Sequence, residues 1–214
     1  MTALGFACTG VRPDPYAAAP TLVFRLRITA PADTRVHALA LRCQLRIEPG
    51  RRSYGEPEGG RLSDLFGERE RWASTLNPIQ LATVPLMVPA FTGETEADLE
   101  VPCSYDLEVA SARYFRALDG GEVPLLLLFS GTAFSGPGGF HVTPVPWDRE
   151  ARVRMPVRVW REAIERHFPG CGWLRLPEGV MDDLLAYRSR RALPSWEATV
   201  RELLATAGIE EEVR

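Results

Sequence analysis

Alternation of apolar and polar residues in the amino-terminal part of the chain predicts β-strands. In Leu22–Ile28 every second residue is apolar, and Leu39–Ile47 repeats the pattern with Cys43 among the apolar positions. Strand side chains point alternately to two faces, so each run has one packed face and one solvated face. A short polar segment containing Pro31 joins the two runs, and we therefore expect them to pair with each other antiparallel.

Further strand patterns fill the chain up to residue 155. They lie at Ala82–Ala90, Ala97–Val109, Val123–Phe134 and Phe140–Met155. Pro85 cannot donate a ladder hydrogen bond, which places its strand at a sheet edge or a bulge. Residues 49–60 are rich in glycine, proline and charge and are expected to form a loop, with a single helical turn at Leu62–Phe66. Six to eight strands separated by turns are typical of a two-sheet sandwich.

The apolar period changes from two to about 3.6 at Pro156, which predicts helices in the last part of the chain. The first helix carries the stripe Val157, Trp160, Ile164 and Phe168. A second helix is expected after Pro177, and Ser195 is placed to cap a third. The predicted fold is mainly β (α+β). It comprises an antiparallel β-sandwich of six to eight strands over residues 1–155 and a three-helix extension over residues 156–214, packed on the sandwich.

Composition excludes several classes of protein. The 214 residues carry a net charge of −3, which gives no general reason to expect nucleic acid as a partner. All 25 basic residues are arginine, a bias that codon usage in a GC-rich genome explains. No apolar run approaches the roughly 20 residues of a membrane span. The four cysteines form no C-x-x-C pair, so we expect reduced thiols and a cytoplasmic protein.

Arginines are the candidate partner-binding residues. On the predicted strand pair they could form a ladder on the solvated face, and a second group follows Tyr187 near the end of the second predicted helix. These candidates are Arg25, Arg27, Arg42, Arg46, Arg188, Arg190 and Arg191. A plain solvated face, and favourable interaction with a helix dipole, are the alternatives that need no partner.

No catalytic, phosphate-binding or metal-binding motif is present in the sequence, so we expect no cofactor, no metal and no enzymatic activity. Trp147, Trp160 and Trp173 are interpreted as core anchors, with the lining of a ligand pocket as the alternative. A site assembled from dispersed histidines and cysteines stays open as a further alternative. The residues that could form it are His37, His141, His167, Cys103 and Cys171.

Several motifs resemble an uncharacterised actinobacterial family whose genes often lie near those of uptake nickel–iron hydrogenases. The motifs are Val101–Val109, Glu122–Gly131, Val145-Pro146-Trp147-Asp148, Trp173-Leu174-Arg175-Leu176 and Arg191–Trp196. The resemblance implies an accessory role, such as assembly, stabilisation or docking of a hydrogenase component, and it transfers no binding or catalytic residue. The sequence lacks the cysteine clusters of an iron–sulfur subunit.

Three hypotheses of function follow from the sequence. The leading one is a non-enzymatic interaction or accessory protein, plausibly for assembly or stabilisation of a hydrogenase-type redox complex. A small-ligand-binding sandwich with a pocket between the sheets and the helices is the second. An enzyme with the dispersed site is the third.

Overall fold

The chain forms two compact units, Met1–Gly170 and Cys171–Arg214. The computed structural model describes residues 4–103, 111–136, 141–171 and 176–208. Every strand of these residues belongs to the first unit, together with the first helix of the predicted carboxy-terminal extension. That the extension packs on the sandwich stays a prediction.

Nine strands run through the described part of the first unit. They are β1 (Gly5–Pro13), β2 (Thr21–Thr29), β3 (Arg35–Ile47), β4 (Ile79–Val88), β5 (Phe91–Thr92), β6 (Glu94–Pro102), β7 (Glu122–Ser135), β8 (His141–Pro144) and β9 (Glu150–Pro156). All pairings among them are antiparallel. The mainly β prediction is confirmed. The number exceeds the six runs identified in the sequence for three reasons: the strand predicted at 140–155 is divided into β8 and β9, the two-residue β5 adds another, and β1 was not predicted.

The strands form two sheets. The smaller has the order β1-β2-β6. In the larger, β3 pairs with β4 and β5 on one side and with β7 on the other. The far edge of β7 is shared: β9 pairs with its first half and β8 with its last residues. The 14-residue strand β7 is therefore bonded on both sides along most of its length.

The alternation read from the sequence matches the buried faces. On β2, Phe24 and Leu26 are fully buried and Arg25 is exposed; on β3 the odd-numbered residues from Leu39 to Ile47 are buried. The Phe6 ring of β1 stacks on Phe129 of β7 with centroids 4.3 Å apart, which joins the two sheets. Each such fully buried side chain contributes about 1.5–3 kcal/mol through loss of contact with water.

The predicted pairing of β2 with β3 is wrong. β2 pairs with β1 and β6, whereas β3 belongs to the other sheet. The segment containing Pro31 therefore crosses between sheets. Alternation specifies that a strand has one buried face, and both sheets of a sandwich require that pattern, so it does not identify the neighbouring strand.

Three α-helices lie between strands in the described residues: α1 (Glu56–Phe66), α2 (Trp72–Thr75) and α3 (Arg113–Ala117). The expected loop over residues 49–60 is thus wrong in its second half, and the single turn at Leu62–Phe66 is the end of an 11-residue helix. Pro57 in the first turn, with Glu56 and Glu58, provides ordinary start signals for a helix. Helix α1 packs against α3.

The helices predicted after residue 155 are present as α4 (Val157–His167), α5 (Glu178–Arg190) and α6 (Trp196–Thr206). Helix α4 packs on β1, β2 and β9 through its predicted stripe, with Val157, Trp160 and Ile164 buried. In the second unit the Ser195 hydroxyl accepts from the Ala198 amide at 3.1 Å, which confirms the predicted cap. The described residues contain no helix with the length and apolar character that crossing a membrane requires.

Candidate interaction surface

The arginines of the small sheet are neutralised by carboxylates on the neighbouring strand. Arg25 and Arg27 of β2 lie directly opposite Asp98 and Glu96 of β6. Arg25 Nε is 3.2 Å from Asp98 Oδ1, and Arg27 Nε is 3.3 Å from Glu94 Oε1. Cross-strand pairs of opposite charge stabilise a sheet. This half of the predicted arginine ladder therefore has its counter-charges within the fold, on a different sheet from Arg42 and Arg46.

Asp98 is the centre of this small-sheet network. Its two carboxylate oxygens accept from Arg25 and from Arg12 of β1, the latter at 3.0 Å. The hydrogen bond from Arg25 is the largest cause that lowers the pKa of the Asp98 carboxyl, and the bond from Arg12 adds to it. The network ties all three strands of the sheet together on its solvated face.

Replacing Asp98 by Asn is expected to remove a small, acid-sensitive part of the stability. Because the folded-state pKa is lowered, the contribution is present above the ordinary carboxyl pKa of about 4 and is lost as pH falls through the folded value. The pairs are exposed, so the loss at neutral pH is about 0.2–1 kcal/mol. Urea unfolding at neutral and acidic pH measures it. A difference between Asp98→Asn and wild type that persists unchanged in acid would contradict this account.

The large sheet presents a solvated face of different character, here called the large-sheet face. It consists of the side chains that point away from the core on five strands. Its members are Gln80, Thr83, Pro85 and Met87 of β4; Ala38, Ala40, Arg42, Gln44 and Arg46 of β3; Leu126, Leu128, Ser130, Thr132 and Phe134 of β7; Val142 and Pro144 of β8; and Glu150, Arg152 and Arg154 of β9.

Arg42 and Arg46 lie in the middle of the large-sheet face without a carboxylate partner among the described residues. Arg42 faces Pro85 on one side and Ser130 on the other, and Arg46 donates to the Gln44 side-chain oxygen at 2.9 Å. Arg152, in the same row as Arg46, differs because it pairs with Glu150 and lies 3.8 Å from Glu48. The positive charge of Arg42 and Arg46 is therefore available to a partner.

Two exposed apolar side chains flank the same face. Met87 on β4 is 67% exposed and Val142 on β8 is 65% exposed. Met87 lies in the row of Ala40, Thr132 and Pro144, whereas Val142 lies one row further along the face, beside Phe134 and Ala38. Scattered apolar residues on a surface are ordinary, but Met87 and Val142 share one face with Arg42 and Arg46, which makes this face the candidate interaction surface.

Trp147 lies on the turn between β8 and β9 and is 92% exposed. The Arg149 amide donates to the Pro146 carbonyl at 3.2 Å, and the Val145 amide donates to Gly131 of β7 at 2.9 Å. These bonds hold the turn beside the middle of β7. Trp147 is therefore neither a core anchor nor part of an enclosed pocket, and it stands at the edge of the large-sheet face.

The arginine group of the second unit is largely engaged by its own helices. Arg188 donates to the Leu193 carbonyl at 3.2 Å and lies over the Trp196 ring, 5.1 Å from its centroid. Arg191 Nε donates to Glu202 Oε1 at 2.8 Å, and this hydrogen bond to Glu202 is the first cause that raises the pKa of Arg191. Arg190 is exposed. Hydrogen bonds to the loop that follows the helix, and ion pairing, thus account for two of these three candidates.

A buried ion pair that the sequence did not reveal joins three segments of the first unit. Arg52 Nη2 donates to Glu58 Oε1 at 2.6 Å and to the Gly120 carbonyl at 2.7 Å, and its side chain is only 10% exposed. The Glu58 carboxylate also accepts from the Asp119 amide at 2.8 Å. The pair therefore anchors the 118–122 segment to α1.

Two buried tyrosines continue this cluster. The hydroxyls of Tyr54 and Tyr114 are 2.8 Å apart, and Tyr54 also donates to the Pro49 carbonyl at 2.8 Å. Burial raises the pKa of both phenols; for Tyr114 the hydrogen bond with Tyr54 raises it further. Arg69 extends the cluster, because its guanidinium donates to the Tyr54 carbonyl and lies over Trp72. Neutral, mutually bonded phenols are structural groups.

The space between the sheets at α4 is nearly filled. Trp160 stacks on Phe115 with centroids 5.0 Å apart. The cavity beside it has a volume of about 10 Å³ and is lined by Leu22, Leu81, Val101, Cys103, Ser111, Ala112, Trp160 and Ile164. That volume corresponds to one water molecule at most. Trp160 is therefore a core residue, whereas Trp173 lies outside the described residues.

The dispersed histidines and cysteines have separate surroundings. His37 Nε2 is 3.0 Å from the Gly136 carbonyl oxygen, and the two ring nitrogens of His167 contact the carbonyl oxygens of Ala163 and Ala17. Burial raises the pKa of the core thiol Cys43 to about 12. Cys103 is buried at the end of β6, His141 begins β8, and Cys171 is exposed in the second unit. Across residues 4–103, 111–136, 141–171 and 176–208, no three His, Cys, Asp or Glu side chains are grouped to hold a metal.

Fold and surface together define a two-sheet antiparallel β-sandwich whose larger sheet carries two arginines with no carboxylate partner in the part of the chain that the structure describes. The chain belongs to DUF6084, a family of unknown function whose model matches residues 1–212. The prediction that the chain resembles an uncharacterised family is confirmed as far as membership of a family of unknown function. No curated protein matches the chain.

Similar solved structures share little sequence with this chain. A putative late embryogenesis abundant protein is 11% identical, with 72% of each chain covered and a TM-score of 0.34. A β-glucosidase from Kluyveromyces marxianus is 7% identical over 72% of this chain and 15% of its own, with a TM-score of 0.28. β-Glucosidase 3B from Thermotoga neapolitana is 11% identical over 72% of this chain and 17% of its own, with a TM-score of 0.26. At such TM-scores these likenesses support no conclusion about this chain.

Proposed function

We propose that this protein is a non-enzymatic interaction module that docks a protein partner on its large-sheet face. The observation that carries the proposal is the difference between the two sheets. Arg25 and Arg27 are matched by carboxylates of β6, whereas Arg42 and Arg46 have none among the described residues. A charged patch that the fold does not neutralise fits a partner of opposite charge, here an acidic one.

The resemblance to a hydrogenase-associated family suggests which partner to test first. Under this proposal an acidic surface of a hydrogenase component binds the large-sheet face, and the module assists assembly or stability of the complex. A small-ligand function has weaker support, because the cavity beside Trp160 has a volume of only about 10 Å³.

Charge reversal of the large-sheet face is expected to abolish partner binding. In a pull-down from the native host, wild-type protein should retain a stoichiometric partner that Arg42→Glu/Arg46→Glu loses by at least about tenfold, because like charges across an interface cost several kcal/mol. The bound partner is identified by mass spectrometry, and its retention should fall as salt concentration rises.

Arg116→Glu/Arg158→Glu is the matched control, because both residues are exposed on helices and the net charge changes equally. It should bind as wild type does. Equal loss in both double variants would indicate a general charge effect, and retention by Arg42→Glu/Arg46→Glu would overturn docking on this face. If a partner is captured in this arginine-dependent way but contains no hydrogenase subunit, only the hydrogenase part of the proposal is removed.

A further inference from the structure

Side chains of the inner strands form the floor of a shallow trough on the large-sheet face. They are small at Ala38 and Ala40 of β3 and at Thr132 of β7, whereas Phe134 of β7, opposite Ala38, stands beside Val142. Larger side chains stand on the outer strands, Met87 on β4 and Val142 on β8. The walls are therefore three strand spacings apart, or about 14 Å between backbones.

The width of the trough favours one kind of occupant. An α-helix with side chains is about 10–12 Å across, and the Met87 and Val142 side chains reduce the space between the walls below the backbone separation. An extended chain is narrower and can lie along the strand direction with alternate side chains facing the floor. Its apolar side chains would contact Met87 and Val142, which are otherwise exposed to water.

The arginines give this occupant its charge pattern. Arg42 is two residues beyond Ala40 on the same face of β3, and Arg46 is four residues further, about 13 Å along the strand. Carboxylates four positions apart in an extended segment have the same spacing. An apolar residue two positions before the first carboxylate would then lie over Ala40, directly beside Met87 and diagonally across from Val142.

We propose that the large-sheet face binds an extended acidic segment of the partner, with an apolar side chain between Met87 and Val142 and two carboxylates on Arg42 and Arg46. This inference rests on the proposed function and specifies the chemistry of the partner. A single occupant would then cover both the exposed apolar side chains and the arginines of the face.

A synthetic peptide tests the inference without knowledge of the partner. The probe is Thr-Leu-Thr-Glu-Thr-Val-Thr-Glu-Thr with blocked ends, titrated into full-length protein with methyl-labelled methionine. The Met87 methyl signal, assigned with Met87→Leu, should shift on binding. A peptide with both glutamates replaced by glutamine, and one of the same composition in scrambled order, should bind at least about tenfold more weakly, a difference of about 1.4 kcal/mol.

Variants separate the apolar from the charged contribution. Met87→Ser/Val142→Thr and Arg42→Gln/Arg46→Gln should each weaken peptide binding about tenfold, measured by anisotropy of a labelled peptide. Arg116→Gln/Arg158→Gln should not weaken it. Both apolar positions are exposed, and equal melting temperatures would verify that the variants fold.

Three results would overturn the inference. One is the absence of any Met87 shift with the acidic peptide, and another is full affinity in Met87→Ser/Val142→Thr. The third is a homodimer that this double variant converts to monomers, since a second copy would then be the occupant. Partner capture that still depends on Arg42 and Arg46 would leave the proposed function standing in each case, whereas arginine-independent capture would remove the proposed function itself.

Discussion

Gly131→Ala is expected to destabilise the first unit by about 2–6 kcal/mol, from backbone strain and overpacking of about 1–3 kcal/mol each. Gly131 lies in β7 with φ of +140°, a conformation that side chains disfavour. A Cβ at this position would lie 2.1 Å from the Ala40 carbonyl oxygen and 2.9 Å from Leu41 Cα. Both contacts are with backbone, which cannot rotate away as a flexible side chain can.

Urea unfolding measures this effect, and Gly60→Ala is its control. Gly60 lies within α1, and nothing stands within 4 Å of the position its Cβ would take. Alanine favours helix, so Gly60→Ala should increase the free energy of unfolding by about 0.5–1 kcal/mol. Should Gly131→Ala prove too unstable to purify while Gly60→Ala purifies normally, the fraction of each variant that is soluble on expression should rank the two stabilities in the same order. Equal stability of Gly131→Ala and wild type would contradict the close approach of β7 to β3.

Arg52→Met is expected to cost about 3–5 kcal/mol, because it leaves the buried Glu58 carboxylate without its counter-charge. The same change also removes the donor to the Gly120 carbonyl. The double variant Arg52→Met/Glu58→Met has no unpaired buried carboxylate. It should therefore lose less stability than the sum of the losses in the two single variants. Equilibrium unfolding of the four proteins of this cycle gives the coupling energy directly.

Arg113→Met is the control for the buried pair. Arg113 Nη2 lies 2.9 Å from Asp64 Oδ2, but the two side chains are 57% and 73% exposed. An exposed pair of this kind contributes about 1 kcal/mol or less. A loss for Arg52→Met no larger than that for Arg113→Met would refute the structural role of the Arg52–Glu58 pair.

The presence of a strand, and which of its side chains face the core, could be predicted because both are local properties of the sequence. Alternation over β2 and β3 is visible within nine or ten residues, and the core residues Phe24 and Cys43 are where it places them. Pairing partners are not local. Arg25 meets Asp98, 73 residues later, and no pattern within β2 distinguishes that neighbour from β3. The predicted arginine ladder therefore divided between two sheets.

The buried ion pair escaped prediction for a related reason. Arg52 and Glu58 occur in a segment whose glycines, prolines and charges resemble a loop, and their burial depends on contacts with residues 118–122. The signal that could have been used is the helix start at Glu56-Pro57-Glu58. The burial of the tryptophans also could not be predicted from residue type. Trp160 is 6% exposed, whereas Trp147 is 92% exposed. Only the helical stripe around Trp160 distinguishes the two in advance.

The doubly paired strand β7 also determines when the protein can fold during its synthesis. Its partner β3 ends at Ile47, whereas β7 begins at Glu122, so β3 leaves the ribosome well before the strand that completes it. At about 5–20 residues per second this interval lasts several seconds or more. Throughout it, one edge of β3 has no strand with which to pair. We therefore expect nascent chains at this stage to be exposed to aggregation through the unpaired edge of β3.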